Sequence, residues 1–171
     1  MEKKNKTTLV SGLFDTRAEA ETAVDAVIAH GWKREDVTVL MSDSTHTKEF
    51  AIKTGTKAVE GAGMGGAVGG TVGAVLGAVV AVGTSIAVPG IGLLIAGPLA
   101  AALAGASAGV AVGGLVGLLV GAGIPEDRAK IYEAGLRKGG ILVGVEATSD
   151  EDAEKLEKVL TKMGSETVRQ S

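Results

Sequence analysis

The sequence contains no cysteine, which excludes disulfide bonds and any chemistry that depends on a thiolate. Aromatic residues form only 2% of the chain, so a surface that stacks nucleic-acid bases is not expected. The net charge of −3 gives no overall attraction to nucleic acid. The opening residues MEKKNKTTLVSGLFD lack an apolar run of signal-peptide length. We therefore expect a chain that begins in the cytoplasm and has no nucleic-acid partner.

Charged residues are also missing from the whole stretch between residues 61 and 125, although they are frequent on both sides of it. A helix on the surface of a soluble protein normally carries charges on its exposed face. Most of the 27 glycines lie in this uncharged stretch. The composition therefore divides the chain into residues 1–58, an insert at residues 59–124, and residues 125–171.

Glycine recurs at every fourth position in two rows of the insert. The rows are Gly61, Gly65, Gly69, Gly73 and Gly77, and then Gly105, Gly109, Gly113, Gly117 and Gly121. Residues four apart share one face of a helix, so each row predicts a bare groove that a second helix can approach closely. Glycine costs about 1 kcal/mol relative to alanine inside a helix. We interpret the ten glycines as a helix-packing and homo-oligomer interface, because close packing offsets that cost.

The stretch SIAVPGIGLLIAGPLA separates the two rows and contains residues that break helices, namely Pro89, Gly90, Gly92 and Pro98. We predict that these four residues form the turn of a helical hairpin. Helices over residues 61–83 and 99–123 would each be about 35 Å long or slightly more, against a hydrocarbon layer of about 30 Å. Three interpretations remain open for the insert: a membrane-inserted hairpin, a hairpin buried in a soluble assembly, and a disordered glycine linker.

The first flank reads as strand, helix and strand. Residues 8–14 and 36–41 are short β-branched runs. Thr16 and Glu19, between them, have the spacing of a capping box that opens a helix. The polar residues 42–58 read as a linker that runs into the insert.

The second flank reads as helix, strand, helix and a short edge strand. A helix begins near Pro125 and runs to about Lys138, a strand covers residues 141–147, and Ser149 with Asp152 opens another helix. Residues 166–169 complete the pattern as an edge strand. Two such β-α-β halves commonly combine into one antiparallel sheet with helices on one face. The predicted fold is therefore α+β, a ferredoxin-like domain split by the glycine-rich insert, whose two ends must return to the same place.

The residues offer little for catalysis. The GAGMGG motif at residues 61–66 fits a dinucleotide-binding pattern, but no strand precedes it and no acidic residue follows about 20 residues later. His30 and His46 have neither cysteine nor a clustered carboxylate nearby in the sequence, so no metal site is expected. Tyr132 is expected to pack in the core rather than anchor at an interface. We predict no enzyme activity, no cofactor, no metal and no small-molecule substrate.

Three segments together resemble one bacterial family. They are VSGLFDTRAEAETAVDAV at residues 10–27, the glycine rows around VPGIGLLIAGP at residues 88–98, and GIPEDRAKIYEAGLRKGGILVGVEA at residues 123–147. The family is the heat-induced or general-stress family, YflT-like, whose members are often labelled low-temperature-induced protein. The resemblance covers most of the chain. It implies a stress-linked, non-catalytic role and membrane association, and it supplies no catalytic residue.

Two hypotheses for the function follow. The first is a stress-associated homo-oligomer in the cytoplasmic (inner) membrane, with the ferredoxin-like head in the cytoplasm and with membrane lipid as its second partner. The second is a soluble cytoplasmic assembly, such as a filament, shell or particle, whose apolar wall consists of the hairpins. An enzyme or small-molecule binder is a third class, which no convergent set of polar residues in the sequence favours.

Overall fold

A computed structural model describes residues 8–46, 48, 85–88, 92–100 and 107–169. These residues form six strands, five α-helices and a short 3-10 helix at Arg34–Asp36. The strands are β1 (Thr8–Phe14), β2 (Val37–Ser42), β3 (Ser85–Val88), β4 (Leu93–Ala96), β5 (Ile141–Ala147) and β6 (Glu166–Arg169). The helices are α1 (Arg17–Ala29), the single turn α2 (Asp43–His46), α3 (Ser107–Gly121), α4 (Glu126–Arg137) and α5 (Asp150–Lys162).

The six strands form one sheet in the order β3-β4-β2-β5-β1-β6, and every neighbouring pair is antiparallel. The strand β5 lies between β1 and β2, so the connection through α1 passes over one intervening strand. The connection through α5 likewise passes over β1 to reach the edge strand β6. The predicted combination of helices with an antiparallel sheet is confirmed, and the two flanks of the sequence meet in the centre of that sheet.

The helices of the two flanks begin where the sequence predicts. The Oγ1 atom of Thr16 accepts the backbone N–H of Glu19 at 3.3 Å, and the backbone N–H of Thr16 donates to the carboxylate of Glu19 at 3.1 Å. The Oγ atom of Ser149 accepts the backbone N–H of Asp152 at 3.1 Å. Both contacts satisfy amide groups that have no partner inside the helix, which fixes the first residue of α1 and of α5.

The sheet separates two hydrophobic cores. The first core lies under α1 and α5, and the second lies under α3 and α4. Successive residues of a strand point to opposite faces, so β5 contributes Ile141, Val143 and Val145 to the first core and Leu142 to the second. The second core also contains Leu40 from β2. Both faces of the sheet are therefore covered by helices.

The segment predicted to turn between two helices contains strands instead. Residues 85–88 form β3 and residues 93–96 form β4, with Val88 opposite Leu93, and β4 pairs with β2. Strands therefore occupy residues on both sides of the predicted turn, and two of the four predicted turn residues, Pro89 and Gly90, lie outside the described residues. The runs SIAV and LLIA are short, apolar and bounded by glycine or proline, which is the composition of a buried strand as much as of a buried helix. Leu93 and Ile95 are buried in the second core.

The second glycine row lies partly on α3, which is shorter than predicted and interrupted. The predicted helix covers residues 99–123, whereas α3 runs from Ser107 to Gly121 and contains 15 residues. Gly114 has non-helical backbone angles, with φ 57° and ψ −149°. The predicted first helix, over residues 61–83, lies outside the described residues. No helix among the residues that the structure describes has the length and apolar character needed to cross a membrane.

Candidate assembly surface on the glycine-rich helix

Helix α3 is held against the sheet by its leucines. Leu115, Leu118 and Leu119 are at most 4% exposed and belong to the second core. The same core contains Tyr132 and Leu136 of the neighbouring helix α4. The inward face of α3 is therefore fully occupied by contacts within the chain, and the position of its outward face is fixed by this packing.

The outward face of α3 is bare. Gly113 and Gly121 are exposed, and a Cβ atom added at either position would meet no described atom within 4 Å. The side chain of Val120, next to Gly121, is 43% exposed, whereas Gly117 is half-buried. We name the surface formed by Gly113, Gly117, Val120 and Gly121 the glycine face.

The other predicted interface and turn residues fall in different places. Gly109 belongs to α3, Gly92 precedes β4 with a φ of +66°, and Pro98 follows β4. The remaining predicted residues lie outside the described residues. They are Gly61, Gly65, Gly69, Gly73, Gly77, Pro89, Gly90 and Gly105.

The second row does not lie on one continuous helix, because the break at Gly114 divides it. Gly109 and Gly113 precede the break, and Gly117 and Gly121 follow it. Spacing of four residues keeps glycines on one face only while the helix is regular. The glycine face therefore consists of two short segments rather than one long groove.

One glycine outside the predicted rows has a clear packing role. Gly97 has a φ of +104°, and a Cβ atom added there would lie 2.3 Å from the backbone oxygen of Val37. The chain at the end of β4 thus approaches the start of β2 more closely than any other residue type would allow. This contact joins the glycine-rich insert to the first flank.

Two of the charged pairs, Lys130 with Glu126 and Lys155 with Glu151, lie on the exposed surface. Lys130 contacts Glu126 at 2.8 Å, and their hydrogen bond lowers the pKa of the Glu126 carboxyl and raises the pKa of Lys130. The hydrogen bond of Lys155 with Glu151 raises the pKa of Lys155 in the same way. These groups are fully exposed, and such pairs contribute little to stability.

Neither histidine belongs to a recognisable metal centre. His30 follows α1, and its Nδ1 atom lies 2.7 Å from the backbone oxygen of Ala26. His46 ends the single turn α2. Among the described residues, no three histidine, aspartate or glutamate side chains are placed to hold a metal ion.

Tyr132 is a core residue. Its side chain is fully buried, and its hydroxyl donates to the backbone oxygen of Ser11 at 3.2 Å while lying 3.4 Å from the Ser11 Oγ atom. This hydrogen bond satisfies the one polar atom of the side chain inside the second core and ties α4 to β1. The prediction that Tyr132 packs in the core is confirmed.

Comparison with known proteins supports the resemblance that the sequence shows. Residues 10–85 match the family model of the heat-induced stress protein YflT domain. This part of the chain is similar to the YflT domain, and the match covers less than half of the 171 residues. The YflT match begins within β1 and ends at the first residue of β3, so it includes α1, β2 and the first glycine row, while β5 and β6 follow it. No curated protein and no solved structure matches the chain.

Proposed function

We propose that this protein is a non-catalytic stress-response protein that forms homo-oligomers through its glycine-rich helices. The YflT match supports the association with stress. In this proposal, strands β1, β2, β5 and β6 with helices α1 and α5 are a ferredoxin-like head. The strand order β2-β5-β1-β6 and the two connections that each pass over one strand support that description.

The observation that carries the proposal is the bare glycine face of α3. The leucines of α3 account for its contact with the sheet, but they do not account for glycine at the exposed positions 113 and 121. Alanine at an exposed helical position is favoured by about 1 kcal/mol over glycine. A contact with another copy of the chain would explain the glycines, because the absence of a side chain lets two helix backbones approach closely.

The oligomer is tested with a substitution that fills the glycine face without disturbing the monomer. A Cβ atom at position 113 would meet no described atom within 4 Å, and Gly113 is exposed, so we expect Gly113→Leu to fold as an isolated chain. Sedimentation velocity over a range of protein concentrations should show a concentration-dependent oligomer for the unchanged protein. Gly113→Leu should weaken its association by about tenfold or more, which corresponds to a loss of about 1.4 kcal/mol.

A matched control separates the glycine face from a general effect of an added leucine. Lys158→Leu places the same side chain on the exposed surface of α5, on the opposite side of the sheet. It should leave the association unchanged. A protein that is monomeric at every concentration, or equal losses in both variants, would make the proposal wrong.

A second candidate function is association of the glycine-rich segment with membrane lipid, and the absence of charge between residues 61 and 125 favours it. The head would then face the cytoplasm from the inner membrane. The alternative is a cytoplasmic particle without lipid. Flotation with phospholipid vesicles distinguishes the two, because a lipid-bound protein rises with the vesicles and stays bound after extraction with alkaline carbonate. A uniform particle in detergent-free buffer that does not float supports the alternative.

A further inference from the structure

A polar cavity lies at one end of the sheet, away from the glycine face. Its volume is about 530 Å³, and three separate segments line it. The first is the connection from β1 into α1, the second is α2 together with Lys48, and the third is the end of α4. The lining residues are Asp15, Thr16, Arg17, Ala18, Ser44, Thr45, Lys48, Arg137, Lys138 and Gly139.

Cationic side chains predominate among the described residues that line this cavity. They are Arg17, Lys48, Arg137 and Lys138, beside one described carboxylate, Asp15, and the two arginines also pair with Glu21 and Glu133. The chain as a whole carries a net charge of −3. A concave surface that gathers cations in an otherwise acidic protein raises the local concentration of anions.

Carboxylates on neighbouring helical turns hold the two arginines in place. Arg17 pairs with Glu21 on α1. On α4, the Nε and Nη2 atoms of Arg137 donate to the Oε1 atom of Glu133 at 2.8 and 2.7 Å. A guanidinium has five N–H donors, so Arg137 can still donate to an anion while Glu133 fixes its orientation.

Hydrogen bonds also fix the wall that faces these cations. The buried hydroxyl of Thr45 donates to the backbone oxygen of Gly139 at 3.3 Å. The hydroxyl of Ser42 lies 2.8 Å from the Thr45 Oγ1 atom and 2.9 Å from the Ser44 Oγ atom. These contacts tie α2 to the end of α4, so the cavity exists before any ligand arrives, which lowers the entropic cost of binding.

The side chains, rather than the start of α1, supply the attraction for an anion. Thr16 already accepts the N–H of Glu19, and the Glu19 carboxylate already accepts the N–H of Thr16. The capping box thus satisfies two of the amide groups at the start of α1. The cavity also presents lysines, arginines and hydroxyls, which are the groups that bind phosphate oxygens.

We propose that this cavity binds a small sugar phosphate. The cations and the hydroxyls of Ser44 and Thr16 would bind the phosphate group, and Asp15 would accept a hydrogen bond from a hydroxyl of the sugar. None of the described residues that line the cavity is aromatic, so these residues offer no surface for stacking a nucleobase. The proposal is independent of the glycine face, and it adds a small-molecule ligand where the sequence predicted none.

Isothermal titration of the full chain with glucose 6-phosphate tests the proposal, with glucose and inorganic phosphate as the two partial ligands. We expect glucose 6-phosphate to bind, inorganic phosphate to bind more weakly and glucose not to bind. Lys138→Gln and Lys48→Gln should each weaken binding by about tenfold, as expected for the loss of one charge-assisted contact. Lys158→Gln removes the same charge from an exposed position of α5 that does not line the cavity, and it should have no effect.

Three outcomes would overturn the assignment. The first is no binding of glucose 6-phosphate at millimolar concentration. The second is an equal loss of affinity in Lys138→Gln and Lys158→Gln, because it would reflect the general charge of the protein. The third is binding to vesicles that contain phosphatidic acid without binding of glucose 6-phosphate, because the phosphate source would then be a lipid headgroup.

Discussion

Helices α5 and α3 cover opposite faces of the sheet and differ sharply in charge. The first core lies under α1 and α5, and α5 has the sequence DEDAEKLEKVLTK, with charged residues on its outer side. The second core lies under α4 and α3, and α3 has the sequence SAGVAVGGLVGLLVG, with no charge at all. Burial of leucine explains the inner side of both helices equally well. Contact with water explains the charged outer side of α5, but it does not explain the uncharged outer side of α3. The outer sides of the two helices therefore differ in the environment that they fit.

The largest expected change in stability comes from shortening one buried leucine in each core. Leu156 of α5 and Leu119 of α3 are both fully buried. If α3 is as much a part of the fold as α5, Leu156→Ala and Leu119→Ala should each reduce the free energy of unfolding by about 2–5 kcal/mol. Urea denaturation followed by circular dichroism measures both. A loss below about 1 kcal/mol for Leu119→Ala alone would contradict the description of α3 as a layer of the core.

The sequence predicts the first face of the sheet almost completely. The strands at residues 8–14, 141–147 and 166–169 have the predicted limits, and both caps on this face, at Thr16 and Ser149, are as predicted. Local signals define these elements: short β-branched runs bounded by polar or glycine residues, and a hydroxyl residue three positions before an acidic one. Such signals require no knowledge of distant contacts.

The second face could not be predicted in the same way. An apolar stretch without charges carries no periodic contrast between an inner and an outer side, so residues 85–96 fit a strand or a helical turn equally well. The pairing of β4 with β2 decides between them, and that contact joins residues far apart in the sequence. The polar cavity has the same origin, because Thr16, Thr45 and Lys138 meet only after the sheet forms.

A second, smaller test compares two adjacent glycines of α3. Gly113 and Gly114 both have open space around an added Cβ atom, but Gly114 has a φ of +57° and Gly113 has a helical backbone. Gly113→Ala should therefore stabilise the monomer by up to about 1 kcal/mol, because alanine favours the helix. Gly114→Ala should destabilise it by about 1–2 kcal/mol, because the left-handed conformation crowds a Cβ atom.

Thermal unfolding of the dilute proteins measures both changes in stability and tests whether the glycine face is exposed in the monomer. Equal destabilisation by the two substitutions would mean that position 113 is covered in the folded chain. The glycine face would then be an internal contact rather than a surface for another copy. Stabilisation by Gly113→Ala together with destabilisation by Gly114→Ala would indicate that the glycine face is exposed, as it is in the structure.

The smallest expected change in stability comes from the pair of Glu126 and Lys130 on α4, a kind of contact that the uncharged helix α3 cannot form. The hydrogen bond from Lys130 lowers the pKa of Glu126 in the folded protein. A lowered pKa contributes stability above the unfolded value of the carboxyl, and this contribution disappears as the pH falls through the folded value. Glu126→Gln should therefore be slightly less stable than the unchanged protein at neutral pH and equally stable in acid, and the loss should be smaller than that of either test above.

Unfolding midpoints in urea at neutral and acidic pH measure this difference, and Glu154→Gln is the matched control. Glu154 is an exposed glutamate of α5 that forms no ion pair within the described part of the chain, so its substitution should give a smaller change at neutral pH. A Glu126→Gln difference that persists in acid would mean that the side chain acts through packing rather than charge. A difference that vanishes in acid means that Glu126 stabilises the outer side of α4 through its charge. Helix α3 has no charged residue that could act in this way, and contact with another apolar surface would explain its composition instead.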